Sequence, residues 1–419
     1  MDKGQNFEVK DLKLAEQGSL NIAYAEMRMP LMRTITKRFE KEQPFKGLTI
    51  GLALHVTKET AVLVRTLRAG GAKVALASCN PLSTQDDVAA ALAKDGFMVY
   101  GYKGEGKEDY YRYIEAVIAA KPDITIDDGC DLVTEIHTKH PEMLGTMIGG
   151  CEETTTGVIR LHAMEKEGVL KYPMIAVNDN KTKHLLDNYY GTGQSTIDGL
   201  LRATNVLIAG KNFVVCGYGD CGRGVSLRAK GMGANVIVTE VDAFRAMQAR
   251  LDGYTVMTVA DAAKIGEIFV TVTGNKHVLT ADHVKTMTAG AILANSGHFD
   301  NEIDVAGMNE RWKKRKIRPF LEEYDVDGKP IFLCGEGRLV NLAAAEGHPS
   351  EVMATSFAGQ SLACEYLVKN KGKLASKVLK LPDEIDDQIA LLQLEAMGVK
   401  KDTLTKEQFK YLHSWQEGT

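Results

Sequence analysis

Gly217-Tyr218-Gly219-Asp220-Cys221-Gly222 matches G-x-G-x-x-G, and its surroundings give that spacing a mechanism. The apolar run Asn212–Cys216 before it reads as a strand, and a helical pattern follows from Arg223 to about Gly233. Gly217 permits a tight turn, Gly219 lets backbone approach a pyrophosphate, and Gly222 lets helix pack on strand. The helix N-terminus then faces the phosphates. The next strand-like run, Asn235–Thr239, ends at Glu240, about 20 residues on, where a carboxylate can accept from ribose hydroxyls. The chemistry implied is dinucleotide binding. Glu240 favours NAD over NADP, because it would repel a 2′-phosphate. Arg245 pulls the other way, since an arginine there could neutralise that phosphate. The alternative is a glycine turn in some other α/β protein.

A second set of candidates stands just beyond other strand-like runs. His55 follows 48–54, Asp127 and Asp128 follow 124–126, Glu152 and Glu153 follow 147–149, and Asn178 and Asp179 follow 174–177. Ligands in open α/β sheets bind outside the strands' carboxyl ends. Four successive strand ends therefore offer acids, an imidazole and an amide to one crevice, the groups that acid/base catalysis uses. Asp and Asn after strands also serve as turn residues and helix caps. That reading is weakest for His55, a poor cap. Further on, His298 follows Ser296-Gly297 beyond the strand-like 291–295. His348 lies in Gly347-His348-Pro349, ahead of the helix-like 351–367. A lone histidine is more often structural than catalytic, but titration near neutrality makes it a candidate acid or base.

The elements that must hold these groups alternate. Strand-like 48–54, 73–78, 97–102, 124–126, 147–149 and 174–177 are interleaved with helical patterns such as 57–71 and 108–120. Strand-like 268–273, 291–295 and 331–334 extend the unit that holds the glycine turn. This alternation implies an α/β fold of doubly wound parallel sheets with helices on both faces. From Val378 the tail reads as helices: Asp383 can cap one, Gly398 can end it, and Thr405-Lys406-Glu407-Gln408 resembles a capping box.

Composition narrows the class. The chain has 419 residues, enough for two or three domains. At 44% hydrophobic and 25% charged it is neither disordered, nor collagen-like, nor a coiled-coil rod. A net charge of -4 gives no basic footprint for nucleic acid. No run approaches about 18 apolar residues, so no membrane span is expected. Met1-Asp2-Lys3-Gly4-Gln5-Asn6 shows no apolar signal core. Seven cysteines lack zinc or disulfide spacing, and reduced thiols point to a cytoplasmic chain.

Several motifs together resemble the S-adenosylhomocysteine hydrolase family. They are His55-Val56-Thr57-Lys58-Glu59-Thr60, Asn80-Pro81-Leu82-Ser83-Thr84-Gln85-Asp86 and Glu152-Glu153-Thr154-Thr155-Thr156-Gly157. Asn178-Asp179, Lys183, Asp187-Asn188, the 217–224 loop and Gly297-His298-Phe299-Asp300 follow in order. Glu336-Gly337-Arg338-Leu339-Val340-Asn341 and Gly347-His348-Pro349 complete a collinear match over nearly the whole chain. The resemblance implies a substrate domain from 1–185 and 348–378, a Rossmann NAD domain from 190–345, and a helical tail from 379–419. Hinges would lie near 187–192 and 344–349. It also implies a homotetramer, with no nucleic-acid or membrane partner.

The implied reaction cleaves S-adenosylhomocysteine to adenosine and homocysteine with tightly bound NAD. A thioether at the 5′ carbon is a poor leaving group. Oxidising the 3′-hydroxyl to a ketone acidifies the 4′ proton, whose removal lets homocysteine thiolate leave. Water then adds, and the ketone is reduced, so the net reaction is hydrolysis.

Residue by residue, the resemblance gives Lys183 and Asp187 the 3′-hydroxyl and the 4′ proton, with Lys183 a base if its pKa is lowered. His55 with Asp128 would do acid/base work at the 5′ end. Glu153 would bind the ribose and tune Lys183, beside Asn178. Asn188 would hold the Lys183 region near nicotinamide, and His298 would contact the homocysteine part. Thr57 and Glu59 would contact adenine, with the His348 loop closing over it. For NAD, Thr154, Thr155, Thr156, Asn188, Gly217, Gly219, Asp220, Cys221 and Gly222 are implied. Glu240, Asn275, Ser296, Gly297, His298 and Asn341 complete that set. No catalytic metal is expected. Some members bind a monovalent cation near the hinge, where Gln85 could contribute.

Departures from the family pattern are Thr192 and Cys130, each in a place where many members differ, and Glu346 in place of an adenine-side methionine. The sequence also closes at Thr419 without the Lys-x-x-x-Tyr tail of longer members, like archaeal and thermophilic bacterial forms. Three alternatives stay open at this level. One is a hydrolase preferring S-inosylhomocysteine, whose ring carbonyl offers no amine to Glu59. Another is an NAD-binding regulator without activity, and the third is an ordinary NAD-dependent dehydrogenase.

Overall fold

A computed structural model describes residues 6–416. Met1–Gln5 and Glu417–Thr419, on which the leader and tail expectations partly rest, lie outside the described residues.

Two eight-stranded sheets carry the chain. The first runs in space Phe7–Glu8, Met98–Tyr100, Lys73–Ala77, Thr49–Ala53, Ile124–Asp127, Gly149–Glu152, Met174–Ala176, Val378–Leu379, all parallel. The second runs Thr255–Val256, Asn235–Thr239, Asn212–Cys216, Ile268–Thr271, Ile292–Asn295, Lys329–Cys334, Leu321–Val326, Lys314–Arg318. Its last two strands form an antiparallel edge.

Side chains of a strand alternate between faces, so strands covered on both faces read as continuous apolar runs. Phe213 and Val215 pack into one cluster of the second sheet, and Val214 and Cys216 into the other. Ile50 and Leu52 likewise enter one core of the first sheet while Ala53 enters the other. Each fully buried Val, Leu, Ile or Phe contributes about 1.5–3 kcal/mol. Two such double cores are what fix the sheet ends rigidly enough to aim catalytic groups.

Each sheet has a point where strand order reverses. In the first it falls between Thr49–Ala53 and Ile124–Asp127, and in the second between Asn212–Cys216 and Ile268–Thr271. Those reversals open crevices at the carboxyl ends. His55 and Asp128 stand at the first, and the glycine turn stands at the second.

Several expectations shift. The strand predicted at 147–149 is Gly149–Glu152, so Glu152 belongs to the strand and Glu153 is the first residue beyond it. Val378–Leu379 is an edge strand on Met174–Ile175 rather than the start of a helix, because its backbone finds a ladder partner there. Asp383 is the first helical residue after Pro382 and makes no capping bond, whereas Thr405 and Gln408 form the capping box. The helices Ala15–Arg28 and Pro30–Glu42 and the hairpin Lys314–Arg318/Leu321–Val326 had no counterpart in the reading. The segment 187–192 is wound into a continuous helical run: Lys181–Lys183, a π-helical His184–Gly191, then Thr192–Thr204. All seven cysteines are free thiols. No described helix is long and apolar enough to cross a membrane.

Candidate active site

The two crevices open into one cavity of about 810 Å³. Asp127-Asp128 and Glu152-Glu153 divide their work by position. Asp127 accepts from Val133 N–H and Asp128 N–H, and Glu152 accepts from Gly129 N–H and Thr154 N–H. Burial raises Asp127 to about 7 and Glu152 well above the carboxylate range. These first members shape the loops. The second members, Asp128 and Glu153, face the cavity.

Asp128 joins two histidines. Its Oδ2 lies 3.3 Å from His55 Nε2, and its Oδ1 lies 3.5 Å from His298 Nδ1. His55 Nδ1 is held by Ser83 Oγ at 2.7 Å and meets Cys79 Sγ at 3.3 Å. Burial pulls His55 down to about 4, and the Asp128 charge only partly opposes it. The imidazole is therefore neutral at pH 7, able to take a proton. His298 comes from the second sheet and reaches Asp128 only because residue 129 is glycine. A Cβ there would stand 2.4 Å from His298 Nε2, and Gly129 has φ +109°.

Lys183 anchors a second cluster. Its Nζ donates to Asn188 Oδ1 at 2.9 Å and Asn178 Oδ1 at 3.4 Å. It lies 3.6 Å from Asp187 Oδ1 and 3.8 Å from Glu153 Oε1. Burial disfavours the ammonium, but the Asp187 charge, joined by that of Glu153 when it is ionised, outweighs it and raises the Lys183 pKa. The lowered pKa that the resemblance required of a lysine base is therefore not what this environment gives. Asp187 is pulled far below the carboxylate range: burial opposes, but Lys183, His348 and Ser356 win. Burial raises Glu153 to about 8 despite Lys183. The cluster thus holds an anion, a cation and a protonated carboxyl within one contact shell.

His348 belongs to this cluster too. Its Nδ1 is 3.1 Å from Asp187 Oδ1 and its Nε2 is 3.3 Å from Thr192 Oγ1. Thr57, expected at the purine, is also the cap of helix Lys58–Ala69, accepting from Thr60 N–H. Beside it Glu59 Oε1 accepts from Ser350 Oγ at 2.6 Å. Gln85 Oε1 accepts from Lys58 N–H and its Nε2 donates to the Glu346 carbonyl, so this amide ties two chain segments.

The dinucleotide side fits its group. A Cβ on Gly222 would stand 2.0 Å from Gly217 O, so helix and turn touch only as glycines. A Cβ on Gly219 would enter the cavity, meeting only Arg245 Nη1 at 3.6 Å. Arg245 thus overhangs the turn. Glu240 accepts from Tyr218, Val241 and Asp242 N–H groups, which fixes the strand-end carboxylate. Thr154 sits at the cap of helix Thr155–Lys166 but its side chain makes no capping bond. It lines the cavity with Thr155, Thr156, Asp220, Cys221, Asn275, Ser296 and Gly297. Asn341 Nδ2 donates to Ser195, while its buried Oδ1 has no partner, an acceptor ready for a bound amide. Asn178, Gly222 and Gln85 are not among the lining residues, and the other site residues that the resemblance implied line the cavity.

The sequence motif that includes Ser83 did not reveal its contact with His55, and Ser356 and Gln360 were not singled out at all. Ser356 Oγ donates to Asp187 Oδ2 at 2.8 Å, and Gln360 Nε2 donates to Glu153 Oε2. The spacing of Ser356 and Gln360, four apart and so on one face of the helix Ser350–Lys369, was legible, but their distant targets were not.

A family model described as S-adenosyl-L-homocysteine hydrolase matches residues 6–140, and one described as its NAD binding domain matches residues 188–347. The chain is 57% identical over 414 residues to S-inosyl-L-homocysteine hydrolase of Methanocaldococcus jannaschii, covering 99% of this chain and 100% of that one. It is 57% identical over 416 residues to adenosylhomocysteinase of Aquifex aeolicus, with 99% and 100% covered. It is 56% identical over 417 residues to adenosylhomocysteinase of Saccharolobus solfataricus, with 99% and 100% covered.

Proposed function

The chain belongs to the S-adenosyl-L-homocysteine hydrolase family, and on that premise we propose that it hydrolyses S-adenosylhomocysteine to adenosine and homocysteine. The observation that carries this reading is one cavity holding both the glycine turn and two separate proton-handling clusters. An ordinary dehydrogenase needs only one such cluster.

Gly217–Gly222 and Glu240 would hold NAD, which would supply a reversible hydride acceptor for the 3′ carbon. Lys183 enters the cycle as an ammonium that holds a ribose oxygen. Asp187, the anion beside it, is held by Lys183, His348 and Ser356, and takes the proton from the 3′ oxygen or the 4′ carbon as bound substrate displaces those contacts. Protonated Glu153 donates to the ribose and keeps a second negative charge away from Asp187. Around the 5′ carbon, once sulfur has left as thiolate, neutral His55 takes a proton from the water that adds and passes it to that thiolate, with Asp128 steadying the imidazolium that forms. His298 caps that end. Ser356 and Gln360 position the acids without touching substrate.

The reading includes a substrate domain from 1–185 and 348–378, an NAD domain from 190–345 and a tail from 379–419. A homotetramer at work in the cytoplasm belongs to it as well, supported by the family resemblance and the free thiols. A second reading, S-inosylhomocysteine as substrate, has a specific support: relatives at equal identity carry either name. Against it, Glu59 presents a carboxylate to the cavity, an acceptor suited to an amine.

The test is homocysteine release from each compound in the presence of NAD, with NADH absorbance followed in parallel. Thiol release from the adenosyl compound without stoichiometric free NADH is expected. Release of neither thiol by an NAD-loaded protein would overturn the hydrolase reading.

A further inference from the structure

Two carboxylates that line the cavity, Glu59 and Glu346, share one ammonium. Lys58 Nζ lies 2.8 Å from Glu346 Oε2 and 3.5 Å from Glu59 Oε1. Lys58 opens the helix Lys58–Ala69 and is buried. Glu346 lies in the segment between helices Val340–Ala343 and Ser350–Lys369, with its side chain more than half exposed. Its other oxygen faces Arg202 Nη1 at 3.3 Å. Gln85 clamps the same junction by bonding Lys58 N–H at 3.0 Å and the Glu346 carbonyl at 3.3 Å.

Lys58 is therefore contested between two anions, and Glu346 holds the shorter contact. Burial opposes the Lys58 charge, yet Glu59 and Glu346 together raise its pKa. Lys58 in turn holds Glu346 below the usual carboxylate range. Glu59 keeps one donor, Ser350 Oγ, on Oε1. Its Oε2 accepts no hydrogen bond from the described residues and is open as an acceptor.

We propose that Glu346 is a specificity-determining residue that selects 6-aminopurine over 6-oxopurine nucleosides by drawing Lys58 away from Glu59. The inference rests on the preceding reading that Glu59 faces the purine. An open carboxylate accepts from an exocyclic amine but opposes a ring carbonyl, acceptor against acceptor. Sites built around one hydrogen-bonding partner reject the analogue that leaves a buried group unpaired. An ammonium seated on Glu59 would reverse the sign. It would occupy the acceptor and offer an N–H to the carbonyl. Glu346 acts through Lys58 and is thus a positioning residue.

The experiment compares kcat/KM for S-adenosylhomocysteine and S-inosylhomocysteine in the NAD-loaded parent, Glu346→Gln, and Glu346→Gln with Lys58→Met. The isosteric glutamine removes the competing charge from an exposed position, so the fold is retained. The adenosyl-to-inosyl ratio is expected to fall about tenfold or more in Glu346→Gln, mainly through KM. It returns toward the parent in the double variant, since the shift needs the lysine. Lys58→Arg in the Glu346→Gln background keeps the shift. A ratio within about twofold of the parent in Glu346→Gln, or a shifted ratio that survives Lys58→Met, overturns the proposal. A parent that releases thiol from neither compound overturns the hydrolase reading itself, whereas an active parent with unmoved ratios overturns only the role of Glu346.

Discussion

Glu153 and Asp187 stand 3.8 and 3.6 Å from the same ammonium yet titrate in opposite directions. Burial pushes both up. Asp187 is rescued by three contacts, Lys183, His348 and the Ser356 hydroxyl, and stays ionised. Glu153 has Lys183 farther off and only Gln360 as donor, and Asp187 repels its charge, so it rises to about 8. Two carboxylates set apart in this way can divide donor and acceptor duties. As pH climbs through about 8, Glu153 loses its proton and a second anion appears beside Asp187. The kcat/KM profile is expected to fall on that alkaline side, with an apparent value belonging to the cluster. Glu153→Gln, which imitates the neutral acid, should keep activity within about tenfold at pH 7 and lose the fall near pH 8. A pH–rate profile checks this, and an unchanged alkaline limb in Glu153→Gln would contradict it.

At the scale of elements, the glycine turn and the helix Ser350–Lys369 show what spacing reveals and what it hides. Strand, turn and helix around 217–222 were legible because their contacts are local. Gly222 must be glycine for helix to meet turn, and Gly219 for a ligand to meet turn. Alanine at the two positions should therefore fail differently. Gly222→Ala, with its Cβ 2.0 Å from Gly217 O, is expected to destabilise the NAD-free fold by about 1–3 kcal/mol and lower its melting midpoint. Gly219→Ala, with open space at its Cβ, should leave that midpoint unchanged and weaken NAD binding by about tenfold or more. Calorimetry and thermal melts on NAD-stripped protein separate the two, and equal melting losses would refute the division. The helix Ser350–Lys369 hid its role because Ser356 and Gln360 serve groups 169 and 207 residues away. The π-helical His184–Gly191 was hidden too, since a widened turn has no distinct periodicity over so short a run. The edge hairpin did leave a trace: Lys314 and Arg315 face Glu322 and Glu323 across the strands as opposite charges.

Across the whole molecule, the strand-end rule pointed to His55, Asp128, Glu153 and His298 at the cavity, but also, wrongly, to Asp127, Glu152, Asn178 and Asp179, and not to the contacts that join one sheet's crevice to the other's. Those contacts bring together residues far apart in sequence, and they are ion pairs and hydrogen bonds. His298 reaches Asp128, Lys58 and Arg202 share Glu346, and Lys103 Nζ donates to Ala343 O at 2.7 Å and Leu342 O at 3.5 Å. The apolar cores, by contrast, stay within one sheet's surroundings each. A junction made largely of charge and hydrogen bonds is weak beside the cores it joins, so relative motion is the default. It is also sensitive to salt, since the screening length falls from about 10 Å at ~0.1 M to about 3 Å at ~1 M. The radius of gyration from small-angle scattering is therefore expected to rise with salt across that range while the melting transition of each core persists. Lys103→Met removes two donated bonds from the junction and none from either core. It should reproduce the expansion at low salt and lower kcat/KM by about tenfold, the equivalent of roughly 1–1.5 kcal/mol lost from the closed arrangement. If the radius neither follows salt nor changes in Lys103→Met, the two halves are locked by packing rather than by charge, and closing of the cavity over substrate would have to come from smaller movements of 342–349 alone.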